Sequence, residues 1–140
     1  MTTLDDNKVA TALVTKLNAS VALMALITKV YRDDIPEGAT LDYVRFFLVS
    51  QASRDTFSQR YWPLKYQFDI YSKGEAGVAT LSWRAAEIKK ELTAALDNAV
   101  LTIDDYNSVY CKFDFASGDL SWEEGVKRII VQYSILVGEG

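Results

Sequence analysis

Hydrophobic and polar positions change period along this chain, and each change marks an element. From Asp6 to Asn18 the apolar residues Val9, Ala10, Leu13, Val14 and Leu17 recur at helical spacing. Asp5 or Asp6 is placed to cap that helix, where an acidic oxygen suits the unpaired N–H groups and the dipole. Asn18 ends it, and Ser20 reads as the N-cap of a second short helix through VALMALIT; the two also read as one kinked helix. Val30 and Tyr31 predict a short strand, and Pro36 with Gly38 a turn. Tyr43 to Gln51 is β-branched and aromatic, a strand. Val44, Phe46 and Leu48 share one face and Tyr43, Phe47 and Val49 the other, which implies a central or interface position.

Farther along, Trp62, Leu64, Tyr66, Phe68 and Ile70 alternate with Pro63, Lys65, Gln67, Asp69 and Tyr71, so this strand has an apolar face and a wet one. Pro63 has no N–H for a ladder, which predicts an edge, a strand start or a bulge. ASRDTFSQR, between these two strands, has no hydrophobic period and reads as the tip of a long hairpin. Ser72-Lys73-Gly74 stops the strand. An amphipathic helix is predicted from Glu75 to Asn98, with Val78, Leu81, Ala85, Ile88, Leu92, Ala95 and Ala99 on its apolar side. Val109, Cys111, Phe113 and Phe115 then alternate against Tyr110, Lys112 and Asp114. ASGDLSWEEG is a turn region, and a last strand places Ile129, Val131, Tyr133 and Ile135 on one face. This order predicts an α+β fold: an antiparallel sheet of about four to five strands with one long and one or two shorter helices packed on one face.

Composition narrows the functions. The 140 residues fit one domain, 1–140, and 49% hydrophobic residues suffice for its core. A net charge of -4 weighs against nonspecific nucleic-acid binding, which draws on Lys and Arg. The chain has no histidine, which removes the commonest general base and metal ligand and every Ser-His or Cys-His dyad. Cys111 is the single cysteine, so there is no internal disulfide and no cysteine zinc site. MTTLDDNK is acidic where a signal peptide is basic, and the longest uncharged stretch, Leu17 to Thr28, is too short to span a bilayer. A soluble, unexported protein without cofactor or metal is expected.

Candidate chemistry is sparse. Asp33-Asp34, Asp104-Asp105 and Glu123-Glu124 are acidic pairs of the kind that hold metals, but they sit in predicted turns, where solvated acids are ordinary. SKGEAG precedes a helix yet has neither the P-loop nor the dinucleotide glycine spacing. Cys111 on an apolar face reads as a passive core thiol. Tyr61, Trp62, Tyr66, Phe68 and Tyr71 lack the basic neighbours and Gly-aromatic signature of an RNA-binding sheet. The hairpin tips are less ordinary. One carries Arg54, Asp55, Phe57 and Arg60, and the other Leu120, Trp122, Glu123 and Glu124. A large apolar side chain on a polar tip points to a partner, with folding back onto the domain as the alternative.

The order of elements resembles the tail-completion or tail-terminator proteins of long-tailed bacteriophages. ALVTKLNASVALMALI is similar to their opening helix, KVYRDDIPEGATLDYVRF to the strand and loop that follow, LKYQFDIYSKGEAG to the second arm of their long hairpin, and ATLSWRAAEIKKELTAAL to their helix. The resemblance runs from about residue 9 to 137. It departs at Asp42, where the family often has proline. It implies a structural, non-enzymatic virion protein, made in the host cytoplasm and placed in the tail at the head–tail interface. It further implies a homohexameric ring on the head-proximal end of the tail tube, in contact with the major tail tube protein and with a head connector or stopper protein. The resemblance implies as well that DNA passes through the lumen without specific binding and that no membrane is involved. In such a ring a Pro63-containing edge strand, with Lys65, Gln67 and Asp69 outward, would lie against the next subunit. A head-closure or connector protein, and a small ligand-binding α+β domain, are the alternatives.

Overall fold

A computed structural model describes residues 3–73, 81–118, 120–123 and 126–140. Helix α1 spans Asp6–Asn18, and the Asp5 side chain caps it by accepting from the Asn7 N–H. The following segment is a separate helix, α2, Val21–Met24, capped by Ser20 Oγ accepting from the Leu23 N–H. It ends four residues before Thr28, whose N–H turns to the Asp42 carbonyl instead, at 2.8 Å. Strand β1 is Lys29–Arg32, β2 Tyr43–Gln51, β3 Arg54–Asp55 and β4 Arg60–Ser72. Helix α3 is described over Leu81–Leu96; the part predicted over residues 75–80, Val78 included, lies outside the described residues, as does Gly74-Glu75-Ala76-Gly77 of the SKGEAG stretch. Strands β5 Tyr106–Ala116, β6 Leu120–Glu123 and β7 Val126–Glu139 complete the chain.

Among the described residues the sheet has seven strands rather than four to five. Its main order is β1-β2-β4-β7-β5, with β3 paired to β4 and β6 to β7. The two additional strands are short continuations of hairpin arms, in segments that carry no alternation to announce them. One pair, β1 with β2, is parallel. The loop 33–42 carries the chain back alongside itself, with Asp33 (φ 62°) and Gly38 (φ 80°) both in the left-handed region.

One face of the sheet is the core. Val44 and Phe46 of β2, Phe68 and Ile70 of β4, and Val131, Tyr133 and Ile135 of β7 have no solvent exposure. Leu13 and Leu17 of α1 and Ala85, Ile88, Leu92 and Leu96 of α3 join them in a single hydrophobic cluster. Burying Ile88 or Leu92 contributes about 1.5–3 kcal/mol each.

Asp42, the residue that departs from the resemblance, ties this layer together. Its side chain is 6% exposed, and the carboxylate accepts from the Lys73 N–H at 2.8 Å and from Arg84 Nε at 2.6 Å. Arg84 also donates to the Leu26 carbonyl at 3.0 Å, so one ion pair joins α3 to the residue before β2, the residue after β4 and the turn that follows α2.

Two expectations are corrected by the topology. β4 is not an edge strand, because β2 and β7 flank it. Pro63 is tolerated inside the sheet because its missing N–H faces the break between β2 and β3, where the Ala52 N–H reaches the Pro63 carbonyl. The alternation along β5 is also broken. Bulges fall between Ser108 and Tyr110 and between Phe113 and Phe115, and β5 ends the strand order; of the four expected residues only Cys111 is buried. Val109, Phe113 and Phe115 are each nearly half exposed.

Candidate functional site

The β3–β4 tip is held rigidly by its own residues. The Thr56 N–H donates to the Gln59 carbonyl at 2.8 Å, and the Gln59 N–H returns to Thr56 Oγ1 at 3.1 Å. Arg60 grips Asp55 through two parallel bonds, Nε to Oδ1 at 2.7 Å and Nη2 to Oδ2 at 3.1 Å. The hydrogen bond from Arg60 holds the Asp55 carboxyl below its ordinary range, and the same bond raises the Arg60 guanidinium. The tip is also stitched to the end of β7: Gln59 Nε2 donates to the Glu139 carbonyl at 2.7 Å, and the Arg60 N–H to Glu139 Oε1 at 2.9 Å. Gly138 leaves room for this seam, since a Cβ there would meet Gln59 Nε2 at 2.9 Å.

Phe57 sits at the apex of this frame and is fully exposed, at 114% of its reference area. Arg54 is exposed on the outer edge of β3. Arg54, Asp55, Phe57 and Arg60 are therefore brought together, with Arg60 spent on Asp55 rather than presented outward. Of the other predicted contact residues, Pro63 and Lys65 lie in the middle of the sheet, and Lys65 pairs with Asp114 at 2.8 Å. Trp122 and Glu123 fall in β6, whose side chains lie outside the described residues, as does Glu124 altogether.

Asp69 lies on the expected wet face but is not exposed there. It has no solvent exposure and accepts from Arg45 Nη2 at 2.8 Å, Arg128 Nη2 at 2.9 Å and Gln67 Nε2 at 2.9 Å. The two arginines roof the carboxylate because Arg45 and Arg128 flank it from β2 and β7. The Arg45 guanidinium also lies over the Phe47 ring, 5.2 Å from its centre. The polarity of all three residues was visible in the sequence; the register that converges them was not.

The remaining candidates behave as solvated or structural groups. Asp104 and Asp105 are exposed and pair with Lys8, whose ammonium is raised by the Asp105 hydrogen bond. Cys111 is 1% exposed, and burial pushes its thiol up to about 12. Among the described residues no group of three or more Cys, Asp or Glu side chains is placed to hold a metal ion, and no helix is long and apolar enough to cross a membrane.

Three comparisons bear on what such a surface is for. The family model of the tail completion protein gp17 matches residues 11–138. No curated protein matches the chain. A chain in the solved structure of the virion of the native gene transfer agent (GTA) particle has the same fold, with a TM-score of 0.70 at 20% sequence identity, over 91% of this chain and 92% of that one. By the family match the chain belongs to the tail completion protein gp17 family and is a structural protein of the phage virion tail.

Proposed function

We propose that the protein closes the head-proximal end of the tail tube. Identical copies form a homohexameric ring that ends tube polymerisation and presents a surface to the head connector. The observation that carries this reading is the β3–β4 tip: a fully exposed phenyl ring on a hairpin whose Asp55, Thr56, Gln59 and Arg60 are held by hydrogen bonds. An exposed aromatic anchor binds well when little freedom is lost on docking, and this tip loses little. Phe57 therefore docks on the ring stacked against it, with Arg54 beside it as a steering charge. The protein has no catalytic role, and its acidic balance of -4 per copy suits a lumen along which DNA slides without adhering.

The test is electron microscopy of particles made without the protein. Overlong tails support termination. Tails of ordinary length that fail to join heads assign the protein to head closure instead.

A further inference from the structure

We propose that neighbouring copies of this ring join edge to edge, β5 of one copy adding antiparallel to the open half of β2 on the next. The proposal rests on the ring reading above and names the surface that builds it.

The sheet has two edges, and each is left partly open. On one side β1 covers β2 only from Tyr43 to Phe46, so no strand pairs with the outer side of Phe47–Gln51 among the described residues. On the other side the loop after α3 covers the first half of β5, through Asn98 N–H to the Cys111 carbonyl at 2.9 Å and Leu101 N–H to Ser108 Oγ at 3.2 Å. Beyond Cys111 no described strand pairs with the outer side of β5. Native edges are usually blunted by charge or proline; this one carries Lys112 and Asp114, yet it also exposes Phe113 and Phe115.

The register places the two openings at one height. Phe47, Gln67, Gln132 and Phe115 form one row across β2, β4, β7 and β5. Leu48, Tyr66, Tyr133 and Phe113 form the next, and Ser50, Lys65, Ser134 and Lys112 the third. A closed ring is generated by rotation without rise, so surfaces that meet around an axis along the strands must lie at equal height. The faces agree as well. Phe47 and Phe115 are both on the outer face, while Leu48 and Phe113 are both on the core face, so rotation brings apolar groups opposite apolar groups. The directions agree, because β2–β4, β4–β7 and β7–β5 are each antiparallel, which leaves β5 antiparallel to the next β2. Charge completes the match. Arg54 has no ion-pair partner among the described residues, and its row runs through Tyr61 and Gly138 to Asn107, near the exposed Asp104 and Asp105 just before β5, two acids that share the single cation Lys8. The occupant of the β5 edge is thus a second copy of this chain, which carries both halves of the contact.

A cysteine pair reads the contact directly. Within one copy Ser50 and Lys112 are three strand spacings apart, about 14 Å, too far for a disulfide. Between copies they become direct antiparallel partners, within disulfide reach. The Ser50→Cys/Lys112→Cys chain, with Cys111→Ser to remove the native thiol, is assembled onto tails, oxidised and run on a non-reducing denaturing gel, with rings counted in the same sample by electron microscopy. The expected result is a ladder of covalent oligomers up to the full ring, and dimers only from a mixture of the two single-cysteine chains. Rings without a ladder overturn the edge contact and leave the ring standing. No rings from the wild-type chain, on tails or in solution, remove the ring reading and this proposal together. Phe113→Lys is the second variant: wild-type circular dichroism with loss of rings is expected, and a wild-type yield of rings overturns the contact.

Discussion

Replacing Asp69 by Asn tests whether the arginine-roofed carboxylate holds the wet face of the sheet together. Asp69 is fully buried, and Arg45 and Arg128 reach it at 2.8 and 2.9 Å. Removing one partner of a buried ion pair costs about 3–5 kcal/mol, because the opposite charge is left without compensation. Here the arginine side chains retain 27% and 19% exposure, so water recovers part of the loss and the lower end, about 3 kcal/mol, is expected. Equilibrium urea unfolding measures this. At an m-value of about 1–3 kcal/mol/M the midpoint falls by about 1–3 M with no change in slope. The triple variant Asp69→Leu/Arg45→Met/Arg128→Met, which removes both charges and carboxylate, recovers most of the stability. A loss below about 1 kcal/mol for Asp69→Asn refutes the reasoning, since the arginines would then be satisfied by solvent.

Phe57→Ala leaves the unfolding free energy measured in urea within about 0.5 kcal/mol of wild type, as for other exposed positions, yet lowers infectious titre when added to extracts lacking the protein; a wild-type titre removes the tip as a docking surface. Ile88→Asp buries an unpaired carboxylate against the sheet and gives an unfolded or aggregated chain, checked by circular dichroism and gel filtration, and a soluble native variant contradicts the placement of α3. Cys111 gives stability an alkaline limit. Its folded pKa is raised by burial from 9.0 to about 12, so its contribution is complete below about pH 9 and is lost as pH rises toward 12, when the unfolded thiol ionises first. Tyr66 and Tyr133 are raised by burial in the same direction. Urea midpoints that fall between pH 8 and about 10.5, less steeply in Cys111→Ala, are expected, and a flat profile contradicts the burial of these groups.

The parts of the fold set by local periodicity were legible. Helix α1 and strand β2 have the predicted bounds, Ser20 caps α2, and Ala85, Ile88 and Leu92 of α3 face the core. What failed was pairwise information. Nothing in the order of residues says that Asp69 lies level with Arg45, or that β1 returns parallel to β2. Pro63 suggested an edge, but a break in the neighbouring strand meets the same need for an absent N–H. The bulges in β5 shift Phe115 to the face opposite Phe113, which strict alternation cannot foresee. The tip was recognised by composition, while the use of Arg60 as a clamp on Asp55 required the hairpin register. For that reason Arg54→Glu is the clean charge reversal at this surface, and Arg60→Glu would also open the tip.

Tail length reports whether this chain stops the tail tube. Tails from infections lacking the protein are imaged by negative-stain electron microscopy, before and after purified protein is added during assembly. The account predicts tubes that run past the ordinary length and end without a terminal ring, restored to ordinary length and a capped end by the added protein. Tails of ordinary length in its absence would contradict it.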